Sequence, residues 1–162
     1  MFGIDHNIPT KRNMAAFQFF YNIESPVGAG QVNERRSVML TQYMLEVFLS
    51  RYGGLVGVSG LAITGTFGPE TDRAIRAFQQ WLQVSPHAGA VPESGILAPV
   101  RSGVVEGPRG AYVPTLLLLN RMWASTRPET FVNPCLLADV LGDEIAGLLW
   151  AQHPKSAVGS YS

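Results

Sequence analysis

The sequence predicts a mainly α-helical protein: a bundle of helices with long Gly/Pro-rich loops and an additional C-terminal helix. Apolar residues recur at helical spacing in four segments. A capping residue or a proline stands at the start of each of these segments. Hydrophobic residues make up 46% of the 162 residues and charged residues only 15%, which favours a packed core over a disordered chain.

The first predicted helix runs from residue 33 to about residue 50. Asn33 is a good N-cap, and Glu34 suits the positive end of the helix dipole. Gly53-Gly54 is expected to stop the helix. Its apolar residues cover more than one stripe: Val38, Met39, Leu40, Tyr43, Met44, Leu45, Val47, Phe48 and Leu49. Such a helix is predicted to be central and packed on two faces.

Residues 55–66 are rich in Gly and β-branched residues and are compatible with either a short strand or an irregular loop. Pro69 then opens a second helix of about four turns, because a proline at the first helical position loses no hydrogen bond. Glu70 and Asp72 in its first turn complement the dipole. The apolar face of this helix comprises Ala74, Ile75, Phe78 and Leu82.

The remaining chain is predicted as a long loop over residues 84–111, a third helix over residues 115–125 and a fourth helix. Pro114 opens the third helix, and Asn133-Pro134 opens the fourth. Four consecutive leucines at 116–119 require burial on several sides. The fourth helix has an apolar stripe of Leu137, Val140, Leu141, Ile145, Leu148 and Leu149. Residues 153–162 are expected to fray.

Several classes of function are disfavoured by composition. The formal net charge is zero and no basic stripe is interleaved with aromatics, so a nucleic-acid partner is not expected. The apolar stretch Met14–Tyr21 contains Gln18 and is too short for a membrane span or a good signal peptide. We therefore expect no membrane partner and synthesis in the cytoplasm without a signal peptide, with incorporation into a virion or a secreted particle as one alternative.

No catalytic machinery is recognisable. His6, His87 and His153 lie far apart and outside ligand-like motifs, so no metal site is expected. Cys135 has no His partner nearby, and we expect it to be a small buried apolar residue, although a helix start could activate its thiol. Phosphate-binding loops and dinucleotide fingerprints are missing from the sequence. We therefore predict that the chain is not an enzyme and uses no cofactor.

The segment Gly65–Gln79 carries the strongest motif. It reads G-T-F-G-P-E-T-D-R-A-I-R-A-F-Q and resembles the peptidoglycan-binding domain family, whose pattern is roughly G-x-F-G-P-x-T-x-x-A-V/I-x-x-F-Q. The resemblance covers residues 33–85 well and extends to 125 if Val105–Pro108 echoes the last turn of the family. Thr64 departs from the pattern, since the family usually has Asp there, and the long loop and the two extensions are further departures.

This resemblance implies a three-helix bundle in a peptidoglycan-binding-like domain at 33–125; the flanking residues are predicted as an N-terminal arm at 1–32 and a helical extension and tail at 126–162. The arm is expected to lie across the main body through its Phe and Tyr residues. Most motif positions are predicted to be structural, as turn, helix-cap or core residues. The predicted ligand contacts are polar and aromatic residues of the first two predicted helices: Gln42, Tyr43, Arg73, Arg76, Gln79, Gln80 and Trp81.

The sequence is compatible with three functions. The first is a non-catalytic module that binds the glycan and peptide stem of peptidoglycan, with arginines for carboxylates and aromatics for sugars. The second is a structural or assembly protein of a phage particle or contractile injection machine, which uses the fold as a scaffold for other subunits. The third is a remote hydrolase or lytic accessory.

Overall fold

The computed structural model describes residues 20–84 and 88–153 and confirms the mainly helical class. The described elements, in chain order, are α1 (Arg35–Val56), α2 (Pro69–Gln83), β1 (Val105–Gly107), β2 (Gly110–Tyr112), α3 (Thr115–Thr126), α4 (Pro128–Val132), a 3₁₀ turn (Pro134–Leu137), α5 (Ala138–Leu141) and α6 (Asp143–Gln152). Helix α1 packs against both α3 and α2. No helix in the described ranges is long and apolar enough to cross a membrane.

Helix α1 is the central helix, as its broad apolar surface predicts. Nearly all of its residues from Ser37 to Leu49 are buried. The helix is longer than expected, because Gly53-Gly54 does not end it. A Cβ on Gly53 would lie 2.4 Å from the carbonyl oxygen of Val58, so glycine is needed there for close packing of the returning chain. The helix ends instead at Gly57, which has a φ of 77° and donates its N–H to the carbonyl of Gly53.

The N-cap of α1 is Glu34 and not Asn33. The Glu34 carboxylate accepts hydrogen bonds from the backbone N–H groups of Arg36 and Ser37, each at 3.0 Å. Asn33 has a φ of 53° and uses its side chain to close the preceding turn onto the backbone of Gly28. The prediction of Asn33 as the cap is therefore wrong, because Asn33 is committed to the turn.

Stability should depend on the ionisation of Glu34. Partial burial raises its pKa, but hydrogen bonds from Arg36 and Ser37 outweigh this effect and lower the pKa to about 2 from the ordinary 4.5. A depressed folded-state pKa adds stability above pH 4.5 that is lost as the pH falls through 2. We expect Glu34→Gln to be less stable than the parent at pH 7 and the gap to close towards pH 2 in urea denaturation series. A gap that does not depend on pH would contradict this linkage.

The described part of the N-terminal arm is anchored on α3 and α4. The side-chain amide of Asn120 accepts a hydrogen bond from the Tyr21 N–H and donates one to the Tyr21 carbonyl. The Tyr21 ring is fully buried, contacts the Trp123 ring, and donates its hydroxyl to the carbonyl of Phe131. The expectation that the arm packs through its aromatics is confirmed for Tyr21. Residues 1–19 lie outside the described ranges.

The region predicted as a loop over 84–111 contains organised β structure. Strands β1 and β2 pair antiparallel with Val105 opposite Tyr112. The chain at 88–90 runs alongside β2, because the Ala90 N–H donates to the Ala111 carbonyl and the Val113 N–H to the Ala88 carbonyl. The remainder, including residues 91–102, is irregular but close to the body. Residues 85–87 lie outside the described part of the chain.

The C-terminal segment is broken where one continuous helix was expected. Gly142, with a φ of 90°, separates α5 from α6, and a further short helix, α4, precedes them. Cys135 is exposed, which corrects the expectation of a buried thiol, since it sits on the outer side of the 3₁₀ turn. His153 is buried and stacks on Trp150, which corrects the expectation that it frays; residues 154–162 lie outside the described ranges. The domain boundaries after residues 32 and 125 stay predictions.

Candidate functional site

A buried glutamine on α1 fixes the turn that precedes α2. The carbonyl oxygen of the Gln42 side chain accepts the N–H groups of Thr64 and Gly65 at 2.8 and 2.9 Å. Its amide nitrogen lies within 3.2 Å of the Thr64 hydroxyl, the Thr66 carbonyl and the Thr71 hydroxyl. The turn and the first turn of α2 are thereby held on α1 by one side chain.

A second glutamine, on α2, repeats this arrangement. The carbonyl oxygen of the Gln79 side chain accepts the N–H of Gly95 at 2.8 Å. Its amide nitrogen approaches the Ser94 hydroxyl, the Ile96 carbonyl and the Thr115 hydroxyl at 3.3–3.4 Å. Each glutamine thus hydrogen-bonds to a turn that is centred on a glycine with a left-handed backbone conformation. Each also hydrogen-bonds to a threonine in the first turn of the next helix. We call these two arrangements the glutamine clamps.

The clamped turns also explain the departure at Thr64. Its hydroxyl accepts the N–H of Thr66 at 3.1 Å, the bond that an aspartate makes in a comparable turn. Ser94 does the same for Ile96 at 3.2 Å. The turns 64–66 and 94–96 therefore share one local geometry, while Val105–Pro108 belongs to the hairpin.

Four of the predicted ligand contacts are used by the protein core. Gln42 and Gln79 are each 1% exposed and their amides are engaged in the clamps. Tyr43 is 2% exposed, with its hydroxyl at 3.0 Å from that of Thr130. Trp81 is partly buried, with ring contacts to Phe48, Tyr52 and Phe78. The structure corrects their assignment to a ligand surface: Gln42, Gln79 and Tyr43 are structural, and the Trp81 ring faces the core aromatics.

The other three predicted residues, Arg73, Arg76 and Gln80, line one open groove. The groove has a volume of about 440 Å³ and lies between the outer face of α2 and the chain that follows α1. Val56, Gly57 and Val58 form its far wall, and Glu93 closes one side. We call this depression the α2 groove. Sequence spacing alone indicated that these three side chains share a helix, and the structure supplies the opposing wall.

Charge in the α2 groove is distributed unevenly. The Arg76 guanidinium is paired with the Asp72 carboxylate at 3.2 Å and donates to the Glu93 carbonyl at 3.3 Å. It lies against Gly95, where a Cβ would be only 2.7 Å from the guanidinium. Arg73 is exposed and has no salt bridge to any described residue. Arg73 is thus the cation available to an anionic ligand, while Arg76 is held in place.

Among the residues that the structure describes, the α2 groove offers hydrogen-bonding groups and one free cation to a ligand. Within the described ranges, no group of three His, Cys, Asp or Glu side chains is placed to hold a metal ion. An unpaired guanidinium and the Gln80 amide offer hydrogen-bond donors and an acceptor to a polar ligand. A carboxylate with neighbouring amides matches that set of groups.

The segment that lines most of the α2 groove resembles a known protein family. Residues 43–86 match the model of a family described as a putative peptidoglycan binding domain. The matched segment includes most of α1, the turn held by Gln42, all of α2 and the α2-facing wall of the groove. Comparisons with curated proteins and with solved structures gave no match.

Proposed function

We propose that this chain, which carries a segment of the peptidoglycan-binding domain family at residues 43–86, binds peptidoglycan through the α2 groove. The observation that carries the proposal is the unpaired Arg73 beside the fixed Arg76 and Gln80 in one open depression of the matched segment. Peptide stems of the wall present carboxylates and amides, which an arginine fork and a glutamine amide recognise.

Reversing the charge at Arg73 is expected to weaken binding to purified sacculi. We expect Arg73→Glu to raise the Kd by roughly fivefold to tenfold at low salt, because one exposed ion pair is lost and repulsion of a wall carboxylate is added. Cosedimentation over a range of protein concentrations measures this Kd. The difference between parent and variant should shrink as the ionic strength rises.

Arg51→Glu is the matched control for this experiment. Arg51 is an exposed arginine near the end of α1, and it does not line the α2 groove. Both variants lower the net charge equally, so they separate a local contact from a general electrostatic attraction. Equal weakening by the two variants would remove the α2 groove from the proposal. A folded parent protein that stays wholly in the supernatant at low salt would refute wall binding itself.

We also infer that the chain acts by binding alone, because the family that residues 43–86 match is described as a binding domain. Zymography on wall material tests this inference, and clearing of the substrate by the chain would overturn it. We further propose that the chain reaches the wall as part of a virion or a secreted particle.

An assembly role is the second candidate, and it is favoured by apolar side chains on the C-terminal segment. Val132, Leu136, Val140 and Leu148 are each at least 38% exposed. All four lie between residues 132 and 148, and a contiguous exposed apolar patch is typical of a surface that binds other proteins. Under this proposal the chain is a subunit of a particle and meets the wall as part of it. Size-exclusion chromatography with light scattering on the chain and its particle partners tests the idea, and a chain that stays monomeric in their presence would refute it.

A further inference from the structure

A second depression lies on the other side of the turn 94–96 from the α2 groove. It has a volume of about 310 Å³ and is bounded by the irregular chain at 92–102 and by the hairpin. The side chains of Gln79 and Thr115 are at its base, where the second glutamine clamp engages them. We call this depression the hairpin cleft. It is built almost entirely by the long loop that sets this chain apart from the compact family.

The hairpin that forms one wall of the hairpin cleft is closely packed. A Cβ on Gly107 would lie 2.8 Å from the Tyr112 ring, so the ring packs directly on the backbone across the hairpin. A Cβ on Gly89 would lie 2.5 Å from the Ala111 carbonyl, so the chain at 88–90 approaches the hairpin as closely as only glycine allows. A preformed wall of this kind reduces the entropy that a ligand must overcome on binding.

The lining of the hairpin cleft combines small apolar groups with two free polar groups. Apolar wall atoms come mainly from Ile96, Ala98 and neighbouring prolines. Arg101 is exposed, and neither its guanidinium nor the Tyr112 hydroxyl has a hydrogen-bond or salt-bridge partner among the described residues. By contrast, the hydroxyls of Ser94 and Ser102 are engaged with backbone groups two residues further on.

We propose that the hairpin cleft is a second subsite, adjacent to the α2 groove, for a small carboxylate that bears methyl-sized side chains. This chemistry is that of the alanyl-alanine end of a peptide stem, so the inference rests on the proposed function. The methyl groups pack on the apolar walls, the terminal carboxylate pairs with the Arg101 guanidinium, and the Tyr112 hydroxyl bonds a peptide amide. Pockets that join an apolar lining to a few placed polar groups suit such ligands.

The position of the two depressions supports one ligand that reaches both. Glu93 borders the α2 groove, while Pro92 and Ser94 border the hairpin cleft. The Arg76 guanidinium, which lines the groove, lies against Gly95 of the turn between them. A peptide stem that enters the α2 groove therefore needs to cross only one turn of the chain to place its end in the cleft.

Titration of the full chain with the tripeptide N-acetyl-Lys-D-Ala-D-Ala, followed by amide chemical shifts, tests the inference. We expect saturable shifts at Ile96, Ala98 and Tyr112. Arg101→Ala should raise the Kd by roughly tenfold, the loss expected for a charge-assisted hydrogen bond. Tyr112→Phe should raise it by a few fold while keeping the ring in place. Arg51→Ala serves as the control and should leave the Kd unchanged.

A parallel titration with the same peptide ending in a carboxamide separates recognition of the carboxylate from recognition of the methyl groups. Loss of binding for this amide supports the assigned role of Arg101, and equal binding overturns it. Suppose that the parent binds sacculi, that Arg73→Glu weakens this binding, and that the tripeptide causes no shifts at the cleft. This result would support the proposed function and refute the second subsite. Shifts confined to the α2 groove would refute it as well. Absence of both sacculus binding and cleft shifts would refute both proposals.

Discussion

Replacement of Gln42 with leucine is expected to lower the free energy of unfolding by roughly 2–4 kcal/mol, since it strands several hydrogen-bonding groups at once. The amide of Gln42 is 1% exposed and serves the backbone of the turn 64–66 and the hydroxyl of Thr71. Gly65 is buried, so its N–H cannot readily turn to water when the amide oxygen is removed. Leucine fills the volume but accepts no hydrogen bond.

Two further variants, one at Gln80 and one at Gln42, serve as controls for this experiment. Gln80→Leu changes an exposed side chain on the same helix as the second clamp and should alter stability by no more than about 0.5 kcal/mol. Gln42→Glu keeps an acceptor for Thr64 and Gly65 but buries a charge and sets a second acceptor against the Thr66 carbonyl, so we expect it to be destabilised as well at pH 7. Urea denaturation measures all three. A Gln42→Leu variant within 0.5 kcal/mol of the parent by the same test would disprove the clamp as a stabilising element.

The second large effect is expected from Trp123→Ala, which should cost about 3–5 kcal/mol, as is usual for removal of a large buried aromatic. The Trp123 ring is fully buried, and its centroid lies 4.9–5.3 Å from those of Tyr21, Tyr43 and Phe131. Its indole N–H donates to the Thr130 hydroxyl at 2.9 Å. The indole thus joins the N-terminal arm, α1 and α4, and no neighbouring ring can move to fill its volume without giving up another contact.

Two variants make this test specific. Trp123→Phe keeps an aromatic ring but loses the indole hydrogen bond, and we expect a smaller loss of stability than for alanine. Trp150→Ala removes a partly exposed tryptophan from α6 and should cost less than Trp123→Ala. Thermal and urea unfolding give the values. Equal losses for Trp123→Ala and Trp150→Ala would show that the aromatic junction around Trp123 is not the main support of the arm.

The two glutamine clamps give a physical reason for the position of the proposed binding face. Each clamp fixes one turn, and the second turn separates the α2 groove from the hairpin cleft. Residues that bind a ligand must be held by others whose own partners are satisfied. Gln79 therefore acts as a positioning residue at the base of the cleft, and Gly95 gives the Arg76 guanidinium room to lie beside the groove.

The sequence by itself determined the helical class, the place of α2 and α3, and the sharing of one helix by Arg73, Arg76 and Gln80. Local rules suffice for these features. Pro69 and Pro114 mark helix starts because they lack an N–H that a first turn does not need, and four adjacent leucines require burial whatever their partners are. The motif at 65–79 likewise specifies a turn, a cap and a packed face within fifteen residues of contiguous chain.

Only the tertiary structure decided which polar side chains face inwards. The partners of Gln42 lie 22–29 residues further along the chain, and those of Gln79 lie 15–36 residues away, so local spacing cannot separate a buried clamp from a solvated amide. The same holds for Gly53, which would end an isolated helix but here admits the backbone of Val58. Burial is a property of the packed chain, because it depends on contacts between segments that are distant in sequence.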